Sequence, residues 1–88
     1  MTQEYQRTRQ CLHIRIRTLR KQAHITQEEM SKILGISRRT YANYERGVHA
    51  MPAEVLVCIA DIFDTSLDYL TGRKLPESVL QELVVQTA

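Results

Sequence analysis

Gln27–Arg46, QEEMSKILGISRRTYANYER, reads as two short helices joined by a tight turn. Thr26 is a good N-cap, and Glu29 follows three residues later, which together make a capping box. Met30, Ile33 and Leu34 then fall at helical spacing. Gly35 comes next, where a left-handed residue ends a helix at low cost. Ile36 is placed to fold back onto the apolar face. Ser37 is a second N-cap, and Arg38 to Arg46 form a second helix that Gly47 stops.

The second helix carries chemistry on one side. At 100° per residue, with Tyr41 at zero, Tyr44, Glu45 and Val48 point in nearly the same direction. Arg39, Asn43 and Arg46 lie roughly opposite, near 160°, 200° and 140°. Arg can read guanine through O6 and N7, and Asn can read adenine through N6 and N7. A helix with tyrosines inside and those tips outside suits a DNA major groove.

The flanks extend the pattern upstream through RIRTLRKQAHITQ (15–27) and downstream through MPAEVLVCIADIFDTSLDYL (51–70). LR, TQEE, LGIS, YERG and SLDYL occur together and in order. The chain thereby resembles the Cro/C1-type (XRE-like) helix-turn-helix repressor family over residues 12–72. The resemblance implies an all-α fold, a five-helix, lambda-repressor-like DNA-binding domain. It also implies that Arg20 pairs with Glu45 of the ERG motif and that Gln27 anchors the DNA backbone. Independently, the helical wheel turns Glu45 inward, where a carboxylate needs a cation or hydrogen bonds. The alternative is that Glu45 curls to solvent at the helix end. Gln27 also sits at the positive end of its helix, which suits a phosphate; otherwise it is an ordinary first-turn polar residue. Ser31 stands where the family usually has Ala, and both are small. Family members often carry Lys or Arg in the loop after Gly47. Here VHAM (48–51) offers only His49, so a backbone clamp in that loop is not expected.

Eighty-eight residues suggest one small domain whose core is modest, so dimerisation would help it. With 43% hydrophobic and 25% charged residues, the composition is that of an ordinary soluble globular protein. No apolar run reaches membrane-spanning length, and MTQEYQRTRQ lacks a signal-peptide core, so the expected location is the cytoplasm, on the nucleoid when bound to DNA. Cys11 and Cys58 stand in no CxxC or Cys/His ligand cluster, so no metal is expected, and both read as packing or surface residues. No phosphate loop or catalytic dyad appears at a recognisable spacing, which points away from an enzyme and from any cofactor.

Net charge is +2, unevenly spread. Residues 1–47 hold ten Lys/Arg and four Asp/Glu, a charge of +6; residues 48–88 hold two and six, a charge of −4. Such asymmetry is either an unevenly solvated surface or a basic face for an anionic partner, and the helix-turn-helix favours nucleic acid.

Residues 1–10 are polar and either fray or extend the first helix. From Cys11 the pattern is helical, with Leu12, Ile16 and Leu19 as a stripe that Ala23 continues. Ile14 lies about 200° from Leu12, as a stray surface residue or a contact for another element. Pro52 is placed at a first helical position, and Val55, Leu56, Ile59, Ile62 and Phe63 form the core face of the helix it opens. Thr65 or Ser66 caps a last short helix, in which Leu67 and Leu70 pack inward and Tyr69 covers an edge, and Gly72 ends it. The DNA-binding domain thus spans 11–72. Residues 73–88 comprise a linker and an amphipathic helix with Val79, Leu80, Leu83 and Val84 as its stripe. That stripe is covered either by its own domain or by a second subunit; the reading adopted is a homodimer interface.

The expected function is sequence-specific double-stranded DNA binding as a homodimeric repressor of a palindromic operator. Arg39 and Asn43 read bases, Arg38, Thr40 and Arg46 contact phosphates or flanking bases, and Gln27 anchors the backbone. Two alternatives stay open: an antitoxin that autoregulates its operon, and a protein-interaction adaptor that has lost DNA binding.

Overall fold

Five α-helices make up the described part of the chain, residues 2–73, in the computed structural model. They are α1 (Gln3–Gln22), α2 (Gln27–Leu34), α3 (Arg38–Glu45), α4 (Ala53–Ile62) and α5 (Leu67–Thr71). Among the described residues there is no strand, and no helix is long and apolar enough to cross a membrane. Residues 74–88, which hold the linker beyond Arg73 and the Val79, Leu80, Leu83 and Val84 stripe, lie outside the described residues.

Local chemistry sets most helix ends. Thr26 accepts from the Glu29 amide at 3.1 Å and the Glu29 carboxylate accepts from the Thr26 amide at 3.1 Å, so both halves of the capping box form. Those hydrogen bonds hold the Glu29 carboxyl below its ordinary pKa. Gly35 takes φ 71°, and Ile36 N–H then donates back to Ser31 O at 3.0 Å. This left-handed closure turns the chain sharply from α2 into α3, at a conformation that a side chain would strain. Ser37 and Ser66 cap α3 and α5 through the amides of Thr40 and Tyr69.

Each helix contributes one large side chain with no exposure at all: Ile16, Met30, Tyr41, Ile59 and Leu70. Leu12, Tyr44 and Ala60 complete the buried cluster, and Leu19, Ile36, Val55, Leu56, Ile62 and Phe63 pack around it. Burying one such side chain contributes about 1.5–3 kcal/mol, so these residues dominate the stability of a short chain. Ser31 is also buried, its hydroxyl donating to Glu28 O at 2.7 Å. A small, satisfied side chain there lets α2 pack closely on α3.

The first helix is longer than its apolar stripe, because Thr2 caps it and the polar residues from Gln3 onward are helical. Its far half carries α5: Arg15 donates to Tyr69 O and lies over the Tyr69 ring, 4.6 Å from the centroid. Tyr69 therefore covers an edge while staying 44% exposed.

Several expectations are corrected. Val48 is 49% exposed and does not share the aromatic face, because α3 ends at Glu45, with Arg46 as C-cap, and the wheel no longer applies beyond it. Ile33 is 55% exposed because eight-residue α2 turns Met30 and Ser31 inward and leaves Ile33 on its outer flank. Leu67 is 43% exposed, since single-turn α5 buries only Leu70. Ala23 is the exposed C-cap of α1, not part of its stripe. Pro52 is the N-cap of α4 in extended conformation, one residue before the position expected. Cys11 and Cys58 are free thiols, Cys58 on the exposed side of α4.

Candidate nucleic-acid interface

Tyr41 and Tyr44 anchor α3 in the core, and that anchoring fixes what the other side presents. Arg38, Arg39 and Arg46 are exposed, and Asn43 and Thr40 are half-buried. Arg39 and Asn43 are four residues apart, so they stand on one stripe. Among the described residues none of these three arginines takes part in a salt bridge. Thr40 is tied to the helix start: its hydroxyl accepts from Ser37 Oγ at 2.8 Å and its amide donates to Ser37 Oγ at 3.0 Å. Gln27 is half-buried in the first turn of α2, next to the capping box.

Behind this surface sits a buried ion pair. Arg20 Nε donates to Glu45 Oε2 at 2.7 Å and Arg20 Nη2 donates to Glu45 Oε1 at 3.0 Å. The pair is bidentate, the strong geometry for a guanidinium and a carboxylate. The Arg20 side chain is 11% exposed and that of Glu45 2%. Arg20 Nη1 also donates to Ile25 O at 2.7 Å, so one side chain ties α1, the turn before α2 and the end of α3 together. The hydrogen bonds to Glu45 raise the Arg20 pKa, against the opposing effect of burial.

The Tyr41 hydroxyl is buried beside this pair and has no hydrogen-bond partner among the described residues. Burial first, then the close polar approach of the Glu45 carboxylate and its charge, push its phenol far above the ordinary range, so the ring stays neutral. Tyr41→Phe should therefore hold stability level or raise it by up to about 1 kcal/mol, because the hydroxyl is desolvated without return. Urea melts of the two proteins measure this; a loss above about 1 kcal/mol would mean that the hydroxyl is satisfied in solution.

A feature the sequence did not disclose lies along α1. An open groove of about 720 Å³ runs between α1, the start of α2 and the end of α3. Arg17, Lys21, Gln27 and Arg46 are on its walls, with His13 and Ile14. The His13 ring packs over Gly47: a Cβ there would stand 3.0 Å from His13 Cδ2, and Gly47 has φ 70°. Space and conformation together explain that glycine. In the sequence, Arg17 and Lys21 were visible only as part of the basic half.

Residues 16–70 match the helix-turn-helix family. Among curated relatives, the HTH-type transcriptional regulator AnsR of Bacillus subtilis is 40% identical over 60 residues, covering 68% of this chain and 52% of its own. The cryptic phage CTXphi transcriptional repressor RstR of Vibrio cholerae is 41% identical over 59 residues, covering 67% and 53%. Antitoxin PezA of Streptococcus pneumoniae is 35% identical over 57 residues, covering 65% and 36%. The chain spans about half the length of the first two relatives. No solved structure matches it at a comparable level of significance. The matched segment holds both capped helices, the left-handed Gly35 between them and the Arg20–Glu45 pair, and on that match the chain belongs to the Cro/C1-type helix-turn-helix family.

Proposed function

We propose that this chain binds double-stranded DNA sequence-specifically as a homodimer and regulates transcription by repression. The observation that carries this reading is the outward stripe of α3, where exposed Arg39 and half-buried Asn43 stand opposite fully buried Tyr41. Inserted in the major groove, Arg39 would take a guanine and Asn43 an adenine. Gln27, Arg38, Thr40 and Arg46 would hold phosphates or flanking bases, supplying affinity without a direct sequence code. Repression needs no bond chemistry, because a bound dimer occludes a competing protein. The reading places the protein in the cytoplasm, on the nucleoid when bound.

One recognition helix reads only a few base pairs, too few to select a site in a genome. A two-fold dimer doubles the reading and requires a palindromic operator with half-sites about one helical turn, roughly 34 Å, apart. Selection of bound fragments from random duplex DNA tests both parts. A palindrome at that spacing is expected. An isolated half-site would reject the dimer, and no enrichment at low salt would reject sequence-specific binding.

The similarity to an antitoxin favours a second reading, in which the chain binds a partner toxin and represses its own operon. The matched region is the helix-turn-helix that the regulators share, so it supports DNA binding under either reading.

A further inference from the structure

We infer that the α1 groove is a second part of the DNA interface, in which Arg17 and Lys21 grip the phosphate backbone of one strand. The inference rests on the DNA-binding reading and extends it from α2 and α3 to residues of α1. Four observations carry it.

The first is the charge of the groove. Its walls hold Arg17, Arg20, Lys21 and Arg46 against a single carboxylate, Glu45. Arg20 and Glu45 neutralise one another in the bidentate pair. Arg17, Lys21 and Arg46 are exposed and take part in no salt bridge among the described residues. The groove is therefore cationic with nothing on its walls to compensate it, and a polyanion is the complementary ligand.

The second is its position. Gln27 at the start of α2 and Arg46 at the end of α3 are both on its walls, so the groove borders the proposed base-reading face. A strand whose bases meet Arg39 and Asn43 has to lay its backbone beside α3, and the groove lies there. The third is spacing. Arg17 and Lys21 are i and i+4 on α1, about 5–6 Å apart at Cβ, which suits successive phosphates along one strand. The fourth is Ile14, 48% exposed on the same wall. It stands one helical turn before Arg17 on α1, where an apolar side chain beside the cations suits a deoxyribose next to the gripped phosphates. The loop at 48–51 contains no Lys or Arg, so on this side of α3 the additional cations come from α1.

The test is the double variant R17Q/K21Q against a mixed-sequence DNA duplex, titrated over about 50–200 mM salt. Each phosphate contact contributes about 0.9 to the slope of log K against log salt, so the slope should fall by close to 2. Affinity should drop about ten-fold or more at the lower salt, while the selected base preference stays unchanged. The charge-exchanged variant R17K/K21R should keep the wild-type slope. Thermal melts of all three should coincide, since both side chains are exposed. Wild-type slope and affinity in R17Q/K21Q would overturn the groove while leaving DNA binding intact. An altered base preference would also overturn it, by making these residues readers of bases. If the wild-type protein itself binds no duplex at low salt, the DNA reading falls and the groove falls with it.

Discussion

Arg20→Ala should destabilise the domain by about 3–5 kcal/mol, the loss expected when a buried carboxylate is stranded. Glu45 has 2% of its side chain exposed, and both of its oxygens accept from Arg20. The truncation also frees Ile25 O, which accepts from Arg20 Nη1 and lies in the turn between α1 and α2. Domains of this size have total stabilities of about 5–15 kcal/mol, so the variant would be marginally folded at best. Most of the loss belongs to the stranded charge, not to the missing attraction. Exchanging both partners for apolar residues of similar size, Arg20→Met with Glu45→Leu, should recover much of it. Urea melts of the single and double variants separate these contributions. A loss below about 1 kcal/mol for Arg20→Ala would mean that water screens the pair as it does at a surface.

The same pair shows what was legible in the sequence. Glu45 falls on the tyrosine face of the wheel, so its inward direction could be read from spacing alone. Its partner is 25 residues away, and the choice of Arg20 needed the family resemblance. The third bond, to Ile25 O, left no trace in the sequence because a backbone carbonyl has no residue type.

Caps were legible for a related reason: they are decided within four residues. Thr26 with Glu29, Gly35, Ser37 and Gly72 all act where the sequence places them. Short apolar elements were harder. In α2, Ile33 and Leu34 flank Met30 on opposite sides, and only the position of the rest of the fold makes Leu34 the packed one. Leu67 and Val48 failed in the same way, since a single turn or a helix already ended has no stripe to continue. The α1 groove was illegible because three elements build it, from His13 to Arg46. The sequence recorded its cations only as a surplus in residues 1–47.

Arg39→Ala and Asn43→Ala should each weaken binding at the preferred site by roughly 1–3 kcal/mol and relax base preference at one position. Both side chains belong to α3, whose orientation is fixed from behind by Tyr41, Tyr44 and the Arg20–Glu45 pair. A reader held on a rigid helix loses little entropy on docking, so a bidentate base contact keeps most of its discrimination. Arg39 is exposed and Asn43 half-buried, so neither truncation should cost the fold more than about 0.5 kcal/mol. The double variant should then bind its former operator little better than random duplex, because phosphate contacts do not distinguish sequence. Its salt slope should fall by at most about 1, since one cation is lost. Relaxed preference with a nearly retained slope separates base readers from the phosphate grip assigned to Arg17 and Lys21, for which the expected pattern is the reverse. Binding selections and salt titrations on the same proteins measure both quantities. If both variants keep the wild-type base preference, α3 is not the reading helix, and the stripe opposite Tyr41 serves some other contact.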